Sequence, residues 1–395
     1  MANSVIPEHH RNLCFSLAFI SFIIFTGAQV APSVIVFGDS LVDVGNNNFL
    51  ALSLAKANFP HNGVDFDGSK STGRFSNGKN AADFFAEKLE LQTSPPYLST
   101  QKESFFLKRI KKDSFFLKRI KNDESNAIKA VLQNGGISFA SGGAGILNET
   151  NKIFVQSISL DEQTEFFSSV HGELEQQLGK PSAASYLAKS IFLISIGGND
   201  IIGYSKPDSD LPGKYGSPQK YVDTLMFTFR RQLKRMFDLG ARKFAILGAA
   251  KTGCCPSLRR ETDSCNEGAN SLSLLFNDGV ASLLQELKTQ LGINYSIFLS
   301  YNLVEDFISK PAEHGFTEVR RACCGVGEFR ADVPCIPIAD LCDKRDSHLF
   351  WDLYHPTEAA AGKVIDRFFS GTDDRYVFPI NVNQLVGVAE PTSTP

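Results

Sequence analysis

Ser40 stands in the run Phe37-Gly38-Asp39-Ser40-Leu41, directly after the apolar stretch Val34-Ile35-Val36. A hydroxyl on a glycine-flanked turn at the end of a buried strand is presented as a nucleophile would be. Gly-Asp-Ser is also ordinary turn chemistry, so the turn alone decides nothing. Near the other end of the chain, Trp351-Asp352-Leu353-Tyr354-His355-Pro356 sets an acid and an imidazole three residues apart. Serine is a weak nucleophile until a base takes its proton, and imidazole suits that task near neutral pH. An adjacent carboxylate can fix the tautomer and stabilise the imidazolium. A three-residue separation keeps the two on one side of a helical turn, either the first turn of a helix capped near Thr357 or the turn that enters it. The alternative for this segment is a polar helix entry with an incidental histidine.

The other histidines are poorer bases. His9 and His10 belong to an N-terminal leader, His61 to a polar loop and His171 to a polar helical stretch. His314 lies in Glu313-His314-Gly315 without an apolar frame, and His348 lacks an acid at an orienting distance.

Acyl transfer also needs donors for a developing oxyanion. Gln133-Asn134-Gly135-Gly136 leads through Ile137-Ser138-Phe139-Ala140 into Ser141-Gly142-Gly143-Ala144-Gly145, a glycine cluster just beyond a strand. Backbone N–H groups there can approach a bound ester with no side chain between. Ile196-Gly197-Gly198-Asn199-Asp200 repeats the arrangement after the next strand, with the Asn199 amide as a further donor. Each loop alone reads as a left-handed turn. Together they fall at the carboxyl ends of parallel strands, where open α/β sheets build their sites.

Those strands are short apolar runs separated by stretches with helical spacing: 34–37, 137–140, 191–196, 243–247 and 296–299. Helices are expected over 81–89, 221–239, 268–291 and 357–369. The alternation implies a parallel sheet with helices on both faces. Residues 1–28 read as a secretory signal peptide, with His9, His10 and Arg11 ahead of an apolar run and small residues at Thr26-Gly27-Ala28. A single domain over 29–378 follows, then a polar tail over 379–395. No later segment is apolar and long enough to cross a bilayer.

Rival chemistries fail on particulars. Gly248-Ala249-Ala250-Lys251-Thr252 lacks the glycine that a phosphate loop needs before its lysine. No Gly-x-Ser-x-Gly elbow occurs, and Gly142 to Gly145 lacks the spacing of a dinucleotide fingerprint. With 40 Lys and Arg against 43 Asp and Glu, the formal charge of −3 offers no basic field for nucleic acid.

Eight cysteines are present, and Cys14 lies within the leader. In an oxidising compartment the remainder are disulfide candidates, not metal ligands. Their grouping suggests one bridge from Cys254 or Cys255 to Cys265 and two among Cys323, Cys324, Cys335 and Cys342, leaving one thiol over. Sequons at Asn148 and Asn294 suit a secreted, extracellular glycoprotein, apoplastic if the source is a plant. A tandem decapeptide over 103–122 (Glu-Ser-Phe-Phe-Leu-Lys-Arg-Ile-Lys-Lys, then Asp-Ser-Phe-Phe-Leu-Lys-Arg-Ile-Lys-Asn) reads either as a local duplication in a tolerant loop or as a basic amphipathic helix making weak contact with a lipid surface.

Five ordered blocks resemble those of the GDSL esterase/lipase family, the plant secreted branch of the SGNH hydrolase superfamily. They are Phe37 to Leu41 with Asp43 and Gly45-Asn46-Asn47; Gly73 to Gly78; Ala140 to Gly145; Gly198-Asn199-Asp200; and Phe350 to Glu358. The resemblance implies a flavodoxin-like three-layer α/β/α sandwich with a five-stranded parallel sheet. It implies a serine esterase or lipase acting on small-molecule or lipid esters, with Ser40 as nucleophile, His355 as base and Asp352 as its partner. It implies an oxyanion hole from the Ser40 N–H, Gly143 and Asn199, with Gly142 as the other register of the glycine cluster. Asp200 is read as shaping its loop. No metal or organic cofactor is called for. An acyltransferase would use the same residues with an alcohol in place of water, and a non-catalytic secreted binding glycoprotein would keep the fold alone.

Overall fold

The computed structural model describes residues 31–101, 125–150, 152–259 and 263–389. The leader and the tandem decapeptide fall outside them. Five parallel strands, β1 (Val34–Gly38), β2 (Gly136–Ser138), β3 (Ile191–Ser195), β4 (Lys243–Leu247) and β5 (Asn294–Phe298), lie in the order β2-β1-β3-β4-β5. This is the doubly wound flavodoxin-like order, whose direction of winding reverses between β1 and β3. A short antiparallel β6 (Val377–Phe378) pairs with β5, so the sheet has one strand more than the expected five. Two residues carry no readable periodicity, and β6 forms only because β5 offers an open edge.

Alternation along the strands divides the core. Ile35, Phe37, Phe192, Ile194, Phe244 and Ile246 point to one face. There they meet α2 (Asn126–Gln133), α3 (Leu160–Leu178), α4 (Lys180–Lys189), α6 (Pro218–Asp238) and α7 (Glu267–Leu291). Val34, Val36, Leu193, Ala245 and Leu247 point to the other, against α1 (Ala81–Lys88), α8 (Ser300–Ser309), α9 (Glu358–Ser370) and α10 (Val382–Gly387). Between β3 and α6 lies α5 (Gly198–Ser205). The result is an α/β/α sandwich.

Local signals fix the helix ends. In α6, Pro218 sits at the first position behind the Ser217 cap, and Val222, Leu225, Phe229, Leu233 and Met236 are buried at three- and four-residue spacing. The α3 helix begins in a capping box of Ser159 and Glu162. The segment expected to be a polar tail from 379 folds further: Asn381 caps α10, Val382 and Leu385 are buried, and Lys243 Nζ donates to Val386 O at 2.7 Å. Its two apolar residues at three-residue spacing are enough to seat one turn on the sheet.

Disulfides join Cys254 to Cys265, Cys323 to Cys342 and Cys324 to Cys335, while Cys255 is a buried free thiol. Among the described residues no helix is long and apolar enough to cross a membrane.

Candidate active site

The turn after β1 is held by backbone geometry that only glycine tolerates. Gly38 has φ +145°, and a Cβ there would lie 2.1 Å from Ser195 O of the adjacent β3. Asp39 N–H donates to that same carbonyl at 2.9 Å. The buried Gln163 of α3 clamps Gly38 from the other face, accepting from its N–H and donating to its C=O, both at 2.8 Å. Ser40 is thereby set at the carboxyl end of β1 with 9 % of its surface exposed.

His355 and Asp352 come from the turn that enters α9, not from the helix itself, which starts at Glu358 behind the Thr357 cap. Asp352 Oδ1 accepts from Tyr354 N–H at 3.0 Å and from His355 N–H at 2.9 Å, closing the turn. His355 Nδ1 lies 2.7 and 2.8 Å from the two carboxylate oxygens, and Nε2 lies 2.7 Å from Ser40 Oγ. A carboxylate can only accept, so the proton belongs on Nδ1 and the Ser40 hydroxyl donates to Nε2. Burial pushes the Asp352 carboxyl up, but the charge and hydrogen bond of His355, with the two backbone donors, outweigh it and hold Asp352 below its ordinary range. The Phe75 ring packs 5.0 Å from the imidazole centroid.

The turn carrying this pair is braced from outside the sheet. Cys323 N–H donates to Phe350 O at 2.9 Å and Cys324 N–H to Trp351 O at 2.7 Å, so two disulfide-linked residues grip the chain just before Asp352. Trp351 is fully buried and donates to Asn62 Oδ1 at 3.0 Å. From the other side Ser257 N–H donates to Leu353 O at 3.1 Å.

The glycine loop after β2 is tied to the serine loop. Gly142 N–H donates to Asp43 Oδ2 at 3.0 Å, whereas Gly143 lines the cleft beside Ser40. Gly143 has φ +82°, and a Cβ there would meet the Phe154 ring at 2.8 Å. Asn46 and Asn47 act as cross-links: Asn46 Nδ2 donates to Ser138 O and Ala140 O, both at 2.8 Å, and Asn47 Nδ2 to Gly142 O at 2.9 Å. In the loop after β3, Asn199 Nδ2 donates to Ala144 O at 2.9 Å. An amide carries two hydrogens, so that bond fixes the group and leaves a second donor for the cleft that Asn199 lines. Asp200 holds the neighbouring loop through Ile146 N–H, Leu147 N–H and the Thr150 hydroxyl.

Burial dominates the other carboxyls here. It pushes Asp39 up to about 7, against Leu41 N–H and the His355 charge, and raises Asp43 and Asp200 to about 6. Among the described residues no group of three or more His, Cys, Asp or Glu side chains is set to hold a metal ion. Of the two sequons, Asn148 is exposed in a loop, while Asn294 is half-buried at the start of β5.

Ser40, Gly143, Asn199, Asp352 and His355 thus line one cavity of about 510 Å³ at the reversal point between β1 and β3. Such an arrangement can move a proton from a serine to an imidazole and offer N–H groups to an oxygen anion beside it. Gln163 was not legible as part of it, since a glutamine inside a helix carries no local signal of its distant partner.

Residues 34–368 match the family described as GDSL-like lipase/acylhydrolase. A GDSL esterase/lipase of Arabidopsis thaliana is 44% identical over 384 residues, covering 94% of this chain and 96% of its own. A second from the same plant is 34% identical over 387 residues, with 95% and 96% covered, and a third 37% identical over 363 residues, with 89% and 90% covered.

Proposed function

Because the chain belongs to the GDSL lipase/acylhydrolase family and is a carboxylic ester hydrolase, we propose that it cleaves acyl esters with Ser40, His355 and Asp352. The observation that carries this reading is the hydrogen-bonded line from Asp352 through His355 to Ser40.

Ser40 Oγ attacks the acyl carbon while its proton passes to His355 Nε2. The carbonyl oxygen becomes an anion that the Ser40 and Gly143 N–H groups and the Asn199 amide receive. His355 returns the proton to the departing alkoxide, and the C–O bond breaks to leave an acyl-serine and a free alcohol. Water then attacks the acyl carbon as His355 takes its proton. The acid leaves when that proton returns to Ser40 Oγ. Asp352 holds the imidazole in the tautomer both half-reactions require.

Three disulfides and the plant relatives fit a secreted protein. We assign residues 1–28 as the signal peptide and Asn148 as the better placed of the two glycan acceptors, since it is exposed.

Labelling with a fluorophosphonate tests the mechanism. The parent is expected to carry one equivalent of label and Ser40→Ala none. A parent that stays unlabelled and inert on short-chain aryl esters overturns the reading.

A further inference from the structure

Gly38 is the last residue of β1, and the backbone around it faces two neighbours in turn. Asp39 N–H turns to Ser195 O of β3, so Gly38, one residue earlier, presents its own N–H and C=O to the β2 side. There the register between the strands has already ended, at Val36 and Ser138. The Gln163 side chain stands where the next peptide of β2 would be. It accepts from Gly38 N–H and donates to Gly38 C=O, as a paired strand does.

A primary amide has two hydrogens, and the second Nε2 hydrogen goes to Ile158 O at 2.8 Å. Ile158 N–H donates to Ser141 Oγ at 3.0 Å, and Ser141 N–H returns to Gly38 O at 3.0 Å. Gly38, Gln163, Ile158 and Ser141 thus close a hydrogen-bonded ring, and all four are buried. Gly38 N–H can only donate and the two carbonyls can only accept, so one orientation of the amide satisfies all three. The ring joins the two loops on which a single ester carbonyl must land. Gly38 leads through Asp39 to Ser40, and Ser141 leads through Gly142 to Gly143. Beyond Ser40, Asp43 ties the same two loops a second time through Gly142 N–H.

We infer that Gln163 is a positioning residue for acyl transfer: its amide holds the Ser40 turn against the Gly143 loop, so that nucleophile and oxyanion donors meet one carbonyl group. The inference rests on the esterase reading of the site. Gln163 touches neither Ser40 Oγ nor His355, and it acts through the backbone of Gly38 and Ser141. Misplacing a reacting group by about 1 Å can cost about a hundredfold in rate, so a clamp of this kind can matter without touching the substrate.

Gln163→Glu tests this, because it keeps the shape and the acceptor for Gly38 N–H but sets an oxygen against Gly38 O and Ile158 O. A proton on that buried carboxyl relieves one of the two contacts, so the variant is nearest the parent in acid. At about pH 8, kcat for p-nitrophenyl butanoate and the rate of fluorophosphonate labelling should both fall by about ten- to a hundredfold, with KM within about twofold. The ratio of variant to parent kcat should then rise as the pH falls to about 6, and titrations common to both proteins cancel in that ratio. Circular dichroism checks that each variant is folded under assay conditions. As a control, Tyr186→Phe gives up a hydroxyl bonded to Pro32 O and Val131 O at the amino end of β1, and should lose stability with kcat unchanged. Gln163→Met replaces the glutamate if that variant does not fold, and carries the same fall in kcat without the pH dependence. Folded variants whose kcat and labelling stay within about twofold of the parent overturn the inference, as does a rise in KM alone. If the parent is neither labelled nor active, amide hydrogen exchange separates the two readings. Faster exchange over 38–41 in Gln163→Met, with 243–247 unchanged, keeps the clamp and removes the esterase; equal exchange removes both.

Discussion

Asp43 accepts a hydrogen bond from Gly142 N–H at 3.0 Å, joining the loop after β1 to the loop after β2 across 99 positions of sequence. Its other oxygen accepts from Gly45 and Asn46 N–H, both at 2.7 Å. One buried carboxyl therefore sets the spacing between the serine turn and the glycine loop.

Asp43→Asn puts an amide donor where one of three N–H groups now donates. A stability loss of about 2–3 kcal/mol is expected in urea denaturation. Steady-state kinetics should show kcat falling more than KM rises. A variant that loses stability but keeps kcat would make Asp43 a purely structural brace.

Asp352→Asn keeps the size of the side chain and removes the charge that fixes Nδ1–H. The expected fall in kcat is about 10³–10⁴-fold at neutral pH. Fluorophosphonate labelling should slow in parallel. A loss below about tenfold would show that the imidazole is oriented by something other than Asp352.

Gly143→Ala forces a side chain into a left-handed backbone and against Phe154, so it should cost about 1–2 kcal/mol. Alanine keeps the N–H, but the strain turns it out of line, so if Gly143 N–H meets the oxyanion, kcat should fall while KM stays near the parent value. A change in KM alone would move the donor elsewhere.

The sheet was legible because β-branched and apolar runs mark buried parallel strands, and Lys243–Leu247 emerges with its expected bounds. Of the α3 helix only the polar helical stretch around His171 was legible; its bounds were not, since its capping box is a short signal. Ser40, His355 and Asp352 stood out because each sits in a local motif whose residue types suit acyl transfer. Gln163 and the partner of Asp43 did not, because the contacts that give them meaning span 125 and 99 positions. The choice between Cys254 and Cys255 was equally hidden: adjacent cysteines face opposite ways, and only the packing of Cys255 under the Asp352 turn separates them.

The pH dependence of stability follows from Asp39, whose carboxyl is raised by burial from 3.8 to about 7. A raised carboxyl contributes stability that is fully present below its unfolded value and is lost as pH rises through the folded one. Asp352, held low, works the other way, and its contribution is lost in acid. Asp39→Asn cannot ionise, so the stability gap between variant and parent should move in the variant's favour by a few kcal/mol from about pH 4 to pH 7. Urea titrations at three pH values measure it, and a gap independent of pH would refute the assignment.

Cys255 should be silent to thiol reagents in the native protein, because burial, aided by the nearby Asp352 charge, pushes its thiol up to about 12. In protein lacking residues 1–28, one equivalent should react after unfolding without reductant. Reaction in the native state would place the free thiol at the surface.

A flavodoxin-like sheet has two open rims, and each here is closed by a different device. On one, β6 pairs with β5, and α10 packs behind it. On the other, Ser138 N–H of β2 donates to Pro95 O at 2.9 Å, and Pro96, which has no N–H to offer, runs alongside. A chain ending before Val377 would bare the backbone of β5 as a template for a second molecule. Residues 377–387 thereby leave the β5 edge paired, as edge strands are commonly protected from pairing with another chain.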